Sequence, residues 1–128
     1  MPDTPKKILL AEDDKFIAKA MKGKLERSGF EVLHARDGEE ALSILKDTIP
    51  DIMLLDLVMP KKGGFEVLAA INLDEKVKGL PVIILSNLGQ DSDIQKGKEL
   101  GAVDYMVKAN FAMKEVLEKI QFHLAKGK

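Results

Sequence analysis

The sequence predicts an α/β fold, a doubly wound five-stranded parallel sheet in the order 2-1-3-4-5 with five covering helices. Three observations predict it. Short runs, Ile8-Leu9-Leu10-Ala11, Ile52-Met53-Leu54-Leu55, Val82-Ile83-Ile84-Leu85 and Val103 to Val107, alternate with segments of helical period, as strands buried on both faces of a parallel sheet do. The first, third and fourth strands are nearly all apolar and belong in the middle, whereas Glu31 to Ala35 alternates polar with apolar residues like an edge strand. Glu12-Asp13-Asp14 directly follows the first apolar run, and Asp56 directly follows the third. In a sheet of this order the crevice lies at the carboxyl ends of strands 1 and 3, so carboxylates far apart in sequence meet there.

Residues 1 to 6, with two prolines, read as a disordered lead-in to a first strand from Lys7 to Ala11. Asp14 can cap a first helix with an apolar stripe of Ile17, Ala20, Met21, the Lys24 stem and Leu25, ending at Gly29. After the edge strand, Asp37 with Glu40 three residues later forms a capping box for a helix carrying Ala41, Leu42, Ile44 and Leu45, which stops before Pro50. The third strand runs from Asp51 to Asp56, and Met59 to Gly64 turns into a helix from Phe65 to about Asn72. Pro81 opens the fourth strand, a position where its missing N–H is tolerated. The fourth helix, about Gln90 to Leu100, has only Ile94 and Leu100 as large apolar residues. It also carries Gly97 inside, at about 1 kcal/mol against alanine. It should be the least firmly docked. The fifth, Phe111 to about Leu124, has a full stripe of Met113, Val116, Leu117, Ile120 and Leu124.

A chain of 128 residues, 45% apolar, accommodates one domain, read as residues 7 to 125 with a 126 to 128 tail and no output domain after it. Its net charge of -1 leaves direct nucleic-acid binding unsupported. There is no cysteine, which removes disulfides and thiolate chemistry, and no run long enough for membrane insertion. A cytoplasmic location is the expectation. His34 and His123 lack sequence partners and are expected to be solvated, and the tyrosine, Tyr105, reads as a half-buried edge-strand aromatic.

Glu12, Asp13 and Asp56 bring more negative charge than a crevice holds without a cation, and Mg2+ or Mn2+ suits such oxygen ligands. An aspartate can attack phosphorus to give an aspartyl phosphate, and Asp56, ending the most buried strand, is the candidate. Phosphoryl transfer asks mainly for positioning and neutralisation of charge. Lys108 and the metal would neutralise phosphoryl oxygens, and the Ser86 hydroxyl would bond another.

These residues bring the chain to a family. It resembles a response-regulator receiver domain of two-component signalling, with the flavodoxin-like fold of the chemotaxis regulators. The resemblance covers about Lys7 to Leu124. It rests on Leu10-Ala11-Glu12-Asp13-Asp14, the segment from Asp51 to Pro60, Gly64, Ser86, and Asp104-Tyr105-Met106-Val107-Lys108. The resemblance implies that Asp56 is the phosphoacceptor. It also implies that Asp13 binds the metal directly and Glu12 directly or through water, and that the Val58 carbonyl is a further ligand. Ser86 and Lys108 would contact the phosphoryl group, and Tyr105 would be an aromatic switch turning inward as Ser86 moves. The donor would be a histidine kinase or phosphotransfer protein, in a phosphorelay or toward an unidentified protein target. The protein would catalyse only its own phosphorylation and dephosphorylation, as a monomer or a phosphorylation-linked dimer, signalling through the face of helix 4, strand 5 and helix 5.

The chain departs from the family pattern at three positions. Ala109 stands where proline usually follows the lysine, Asn87 where a small residue usually follows the switch hydroxyl, and Gly63 where an acid often precedes the glycine. Asn87 either crowds Asp56 or bonds the phosphoryl group itself. Ala109 and Asn87 motivate one alternative, a pseudo-receiver that binds partners without phosphorylation. A metal-dependent phosphatase of the haloacid dehalogenase type would need a second acid in Asp56-Leu57-Val58, and a flavin-binding protein would not place acids in the strand 1 loop. Val58 and Leu88 flank the site and cannot polarise an attacking water, so slow self-dephosphorylation is expected.

Overall fold

The computed structural model describes residues 4–108 and 112–126. Ten elements alternate along it: β1 (Lys7–Ala11), α1 (Lys15–Arg27), β2 (Glu31–Ala35), α2 (Gly38–Asp47), β3 (Ile52–Leu55), α3 (Gly64–Leu73), β4 (Val82–Ser86), α4 (Asp91–Glu99), β5 (Asp104–Val107) and α5 (Met113–Lys126). The five strands form one parallel sheet in the order β2-β1-β3-β4-β5, as the distribution of apolar runs predicts. Strand side chains alternate between faces, and this sheet has a core on each. Leu9, Met53, Leu55, Val82 and Ile84 pack with Ala41 and Leu45 of α2 and Val67, Leu68 and Ile71 of α3. Ile8, Leu10, Ile52, Leu54, Ile83 and Leu85 pack with α1 and α5.

The ends of α1 and the start of α2 follow chemistry legible in the sequence. The Asp14 carboxylate accepts from the N–H groups of Phe16 (2.9 Å) and Ile17 (3.0 Å), capping α1, and Gly29 takes the positive φ (99°) that ends it. Asp37 caps α2 through Glu40 N–H (2.8 Å), but the Glu40 carboxylate reaches one residue further back than a capping box requires, to Arg36 N–H at 2.6 Å. The Val116 and Ile120 core of the α5 stripe is buried, with Met113, Leu117 and Leu124 packed beside it. The fifth helix extends to Lys126, and its expected start at Phe111 lies outside the described residues.

Two expectations are corrected. On α1 the buried set is Ala18, Met21 and Leu25, while Ile17, Ala20 and Lys24 are exposed. The helix turns the short Ala18 side chain to the sheet, and Ile17 is left on the rim of a groove shared with Met113 and Val116 of α5. Pro81 lies just ahead of β4, and only its carbonyl joins the ladder, accepting from Met53 N–H at 3.0 Å.

The turn between β3 and α3 is braced in a way the residue pattern does not reveal. Lys62 N–H donates to Pro60 C=O (2.8 Å) across Lys61, which has φ of 68°, a tight three-residue turn of a strained kind. The start of α2 holds it: a Cβ at Gly38 would stand 2.2 Å from the Lys62 carbonyl oxygen. Gly38→Ala should therefore force this turn away and cost about 1–3 kcal/mol, as overpacking does. Urea unfolding would measure it, and an unchanged midpoint would show that the turn yields freely.

Candidate functional site

The site is assembled by the first residues past β1 and β3. Ala11 pairs with Leu55, and the ladder continues one step, with Asp56 N–H donating to Ala11 C=O and Glu12 N–H to Ala35 C=O, each at 3.0 Å. Glu12 and Asp56 are thereby held side by side on fixed backbone, 2% and 8% exposed. Asp13 is exposed at the mouth, and one carboxylate oxygen from each of Glu12, Asp13 and Asp56 lies within 4.8 Å of the others. Gly64 closes the floor, since a Cβ there would meet the Asp56 carbonyl oxygen at 2.4 Å.

Lys108, immediately after β5, reaches across the crevice. Its ammonium donates to Glu12 Oε1 and, at 3.3 Å, to Asp56 Oδ2. Burial pushes the Lys108 pKa down, but the Glu12 hydrogen bond and the charges of Asp56 and Glu12 outweigh it and hold it above the ordinary lysine value. The other oxygens of Glu12 and Asp56 have backbone partners. Glu12 Oε2 accepts from Asp14 N–H at 3.1 Å, and Asp56 Oδ1 accepts from Leu57 N–H at 2.7 Å. Three carboxylates against one ammonium leave an excess of about two negative charges, which is the charge of one divalent cation. The oxygen-only donor set fits Mg2+ or Mn2+.

Ser86 ends β4 at 1% exposure, and its hydroxyl accepts from Leu88 N–H at 3.3 Å. Tyr105 packs at the edge of the core beside α4, and its hydroxyl donates to the Leu88 carbonyl. Ser86 and Tyr105 thus grip the same residue from two sides. Burial, with Asp93 and Asp56 nearby, pushes the Tyr105 phenol pKa up. Val58 (61%) and Leu88 (38%) stand exposed, and Asn87 is exposed beside them. The Ala109 position lies outside the described residues.

Both histidines depart from expectation. His34 is half-buried on β2, with Nε2 2.7 Å from the Glu12 carbonyl. A carbonyl only accepts, so Nε2 carries the proton and the ring braces the residue that bonds Lys108. His123 on α5 is largely covered, with Nε2 3.0 Å from Asp104 Oδ2, which also pairs with Lys119 at 3.3 Å. Neither histidine has a sequence-adjacent partner. Only the alignment of β2 beside β1, and of α5 over β5, brings the partners together.

A protein-family model described as response regulator receiver domain matches residues 8–121. The chain is similar to the transcriptional regulatory protein CpxR of Escherichia coli K12, with 43% identity over 115 residues covering 90% of this chain and 47% of that one. The receiver domain of the Francisella response regulator 1452 superposes with a TM-score of 0.88 at 32% identity, covering 96% of this chain and 99% of that one. The Mn2+-bound form of response regulator Rcp1 does so with a TM-score of 0.79 at 32% identity, covering 91% and 90%. The chain spans about half the length of the curated relatives it matches.

Proposed function

This chain belongs to the response-regulator receiver-domain family of two-component signalling, and from that premise we propose that it accepts a phosphoryl group on Asp56 from a histidine kinase or phosphotransfer protein. The observation that carries the reading is the convergence of the Glu12, Asp13 and Asp56 carboxylates, two of which, Glu12 and Asp56, share the ammonium of Lys108. Leu57 N–H holds Asp56 Oδ1, which leaves Oδ2, turned toward Lys108, as the nucleophile. Oδ2 forms the new bond to phosphorus as the bond from phosphorus to the donor imidazole nitrogen breaks, and the electron pair returns to that nitrogen.

Glu12, Asp13 and Asp56, with the Val58 carbonyl, are the proposed ligands of Mg2+ or Mn2+, which when bound would neutralise oxygens of the incoming group. Lys108 neutralises another phosphoryl oxygen by exchanging part of its contact with Asp56. The Ser86 hydroxyl rotates from Leu88 N–H to donate to the phosphoryl group. Its withdrawal from Leu88 changes the loop that Tyr105 also holds, and a population shift of the α4, β5 and α5 face alters binding to a protein target. Among the described residues no helix is long and apolar enough to cross a membrane, and a cytoplasmic location belongs to the same reading. Formation of a phosphoryl adduct on the parent chain, absent in Asp56→Asn, is the test.

Val58 and Leu88 offer no polar side chain to orient water toward an acyl phosphate, so the adduct should persist. Val58→Asn places an amide there and should speed loss of the phosphoryl group severalfold, by the order expected for one positioned polar group, about tenfold per 1.4 kcal/mol. The decay of adduct mass after donor removal would measure this, and equal lifetimes would contradict it.

A further inference from the structure

We propose that Gly97 of α4 is a positioning residue: its missing side chain lets the helix seat directly on Ile84 and Tyr105, so that the place of α4 is coupled to the loop held by Ser86. Gly97 is the buried residue of α4. A Cβ there would stand 2.7 Å from Ile84 Cδ1 and 3.2 Å from Tyr105 Cδ2, so the helix, the ring or the terminal methyl of the wholly buried Ile84 must shift to admit it. The other anchors lie toward the flank and the end of the helix: Lys96 Nζ is 4.6 Å from the centre of the Phe65 ring, the Asn72 amide donates to the Leu100 carbonyl, and the Leu100 side chain at the C-cap packs against the core. Within the helix itself, the closest approach to the sheet is at Gly97.

From that contact an unbroken series of bonded or touching groups reaches the site. The Gly97 backbone lies against the Tyr105 ring, the Tyr105 hydroxyl donates to Leu88 C=O, and Leu88 N–H donates to Ser86 Oγ. A displaced helix releases the ring, and a released ring frees Leu88. A glycine in mid-helix costs about as much as any residue but proline, and here it permits the close approach of helix and ring. The consequence for signalling rests on Asp56 being the phosphoacceptor. The coupling of helix to ring does not.

The experiment uses the intact chain labelled with 13C-tyrosine, which gives the resonances of one residue because Tyr105 is the only tyrosine. Gly97→Ala should move the Tyr105 ring resonances toward free-tyrosine values without phosphate present. Ile84→Val removes the Cδ1 atom that the new methyl strikes, so Gly97→Ala/Ile84→Val should return them toward the parent. Unmoved resonances in Gly97→Ala would overturn the proposal, as would a folded double variant displaced as far as Gly97→Ala alone. If Gly97→Ala alone does not fold, the double variant decides: a folded, parent-like spectrum supports the coupling, and an unfolded chain overturns it. With Mg2+ and acetyl phosphate, the resonance shift accompanying adduct formation should be lost in Gly97→Ala and recovered in the double variant. Absence of adduct in the parent by mass would count against the phosphoacceptor reading alone, since the phosphate-free spectra still decide the coupling.

Discussion

Lys108→Met is expected to cost about 3 kcal/mol of stability in metal-free buffer, the lower end of the loss when one partner of a buried ion pair is removed. The physical reason is the imbalance of charge. Without the ammonium, Glu12 and Asp56 face each other across adjoining strands with Asp13 nearby, and Glu12 Oε1 loses the hydrogen bond it receives. Methionine keeps most of the stem volume, so the loss is electrostatic rather than a cavity effect. A divalent cation should restore a large part of it, because it supplies the positive charge that the substitution takes away. The pH dependence has a definite sign. The folded-state pKa of Lys108 is raised, so its contribution is complete below the ordinary value of 10.5 and is lost as pH rises through the raised one. Urea midpoints of the parent should therefore fall at alkaline pH more steeply than those of Lys108→Met. Equal stability of parent and variant in chelator would contradict the ion-pair assignment.

Asp13→Asn is expected to separate metal binding from folding. Asp13 is exposed, so its removal should change metal-free stability by about 1 kcal/mol or less, and in the stabilising direction because one of three like charges goes. Affinity for Mg2+ should fall at least about tenfold, equivalent to about 1.4 kcal/mol, as one of three carboxylates is lost. Calorimetric titration of parent and variant measures this. Unchanged affinity would remove Asp13 from the ligand set.

The strand order was legible because burial on both faces leaves β1, β3 and β4 almost without polar residues, while Glu31 and His34 mark β2 as an edge. That order alone brings Glu12 beside Asp56. Lys108 could be placed at the same sheet end, although its bridge between the two carboxylates depends on how the chain leaves β5. Features set by close approach between distant segments were not legible. Gly97 reads in sequence as a weakness of α4, whereas its backbone is the surface on which Ile84 and Tyr105 rest. Gly38 reads as an ordinary first helical residue, and only the fold places Lys62 against it. The α1 stripe was misplaced for a related reason: helical period offers Ile17 and Ala20 as readily as Ala18, and the sheet selects among them by the distance at which the helix can sit.

Intact mass after incubation with Mg2+ and acetyl phosphate, comparing the parent with Asp56→Asn and with a metal-free sample, bears most directly on the proposed chemistry. One added phosphoryl group in the parent with metal, and in neither control, is the predicted result. No adduct under conditions that modify another receiver, followed by none from a kinase donor, would contradict it and leave a partner-binding pseudo-receiver.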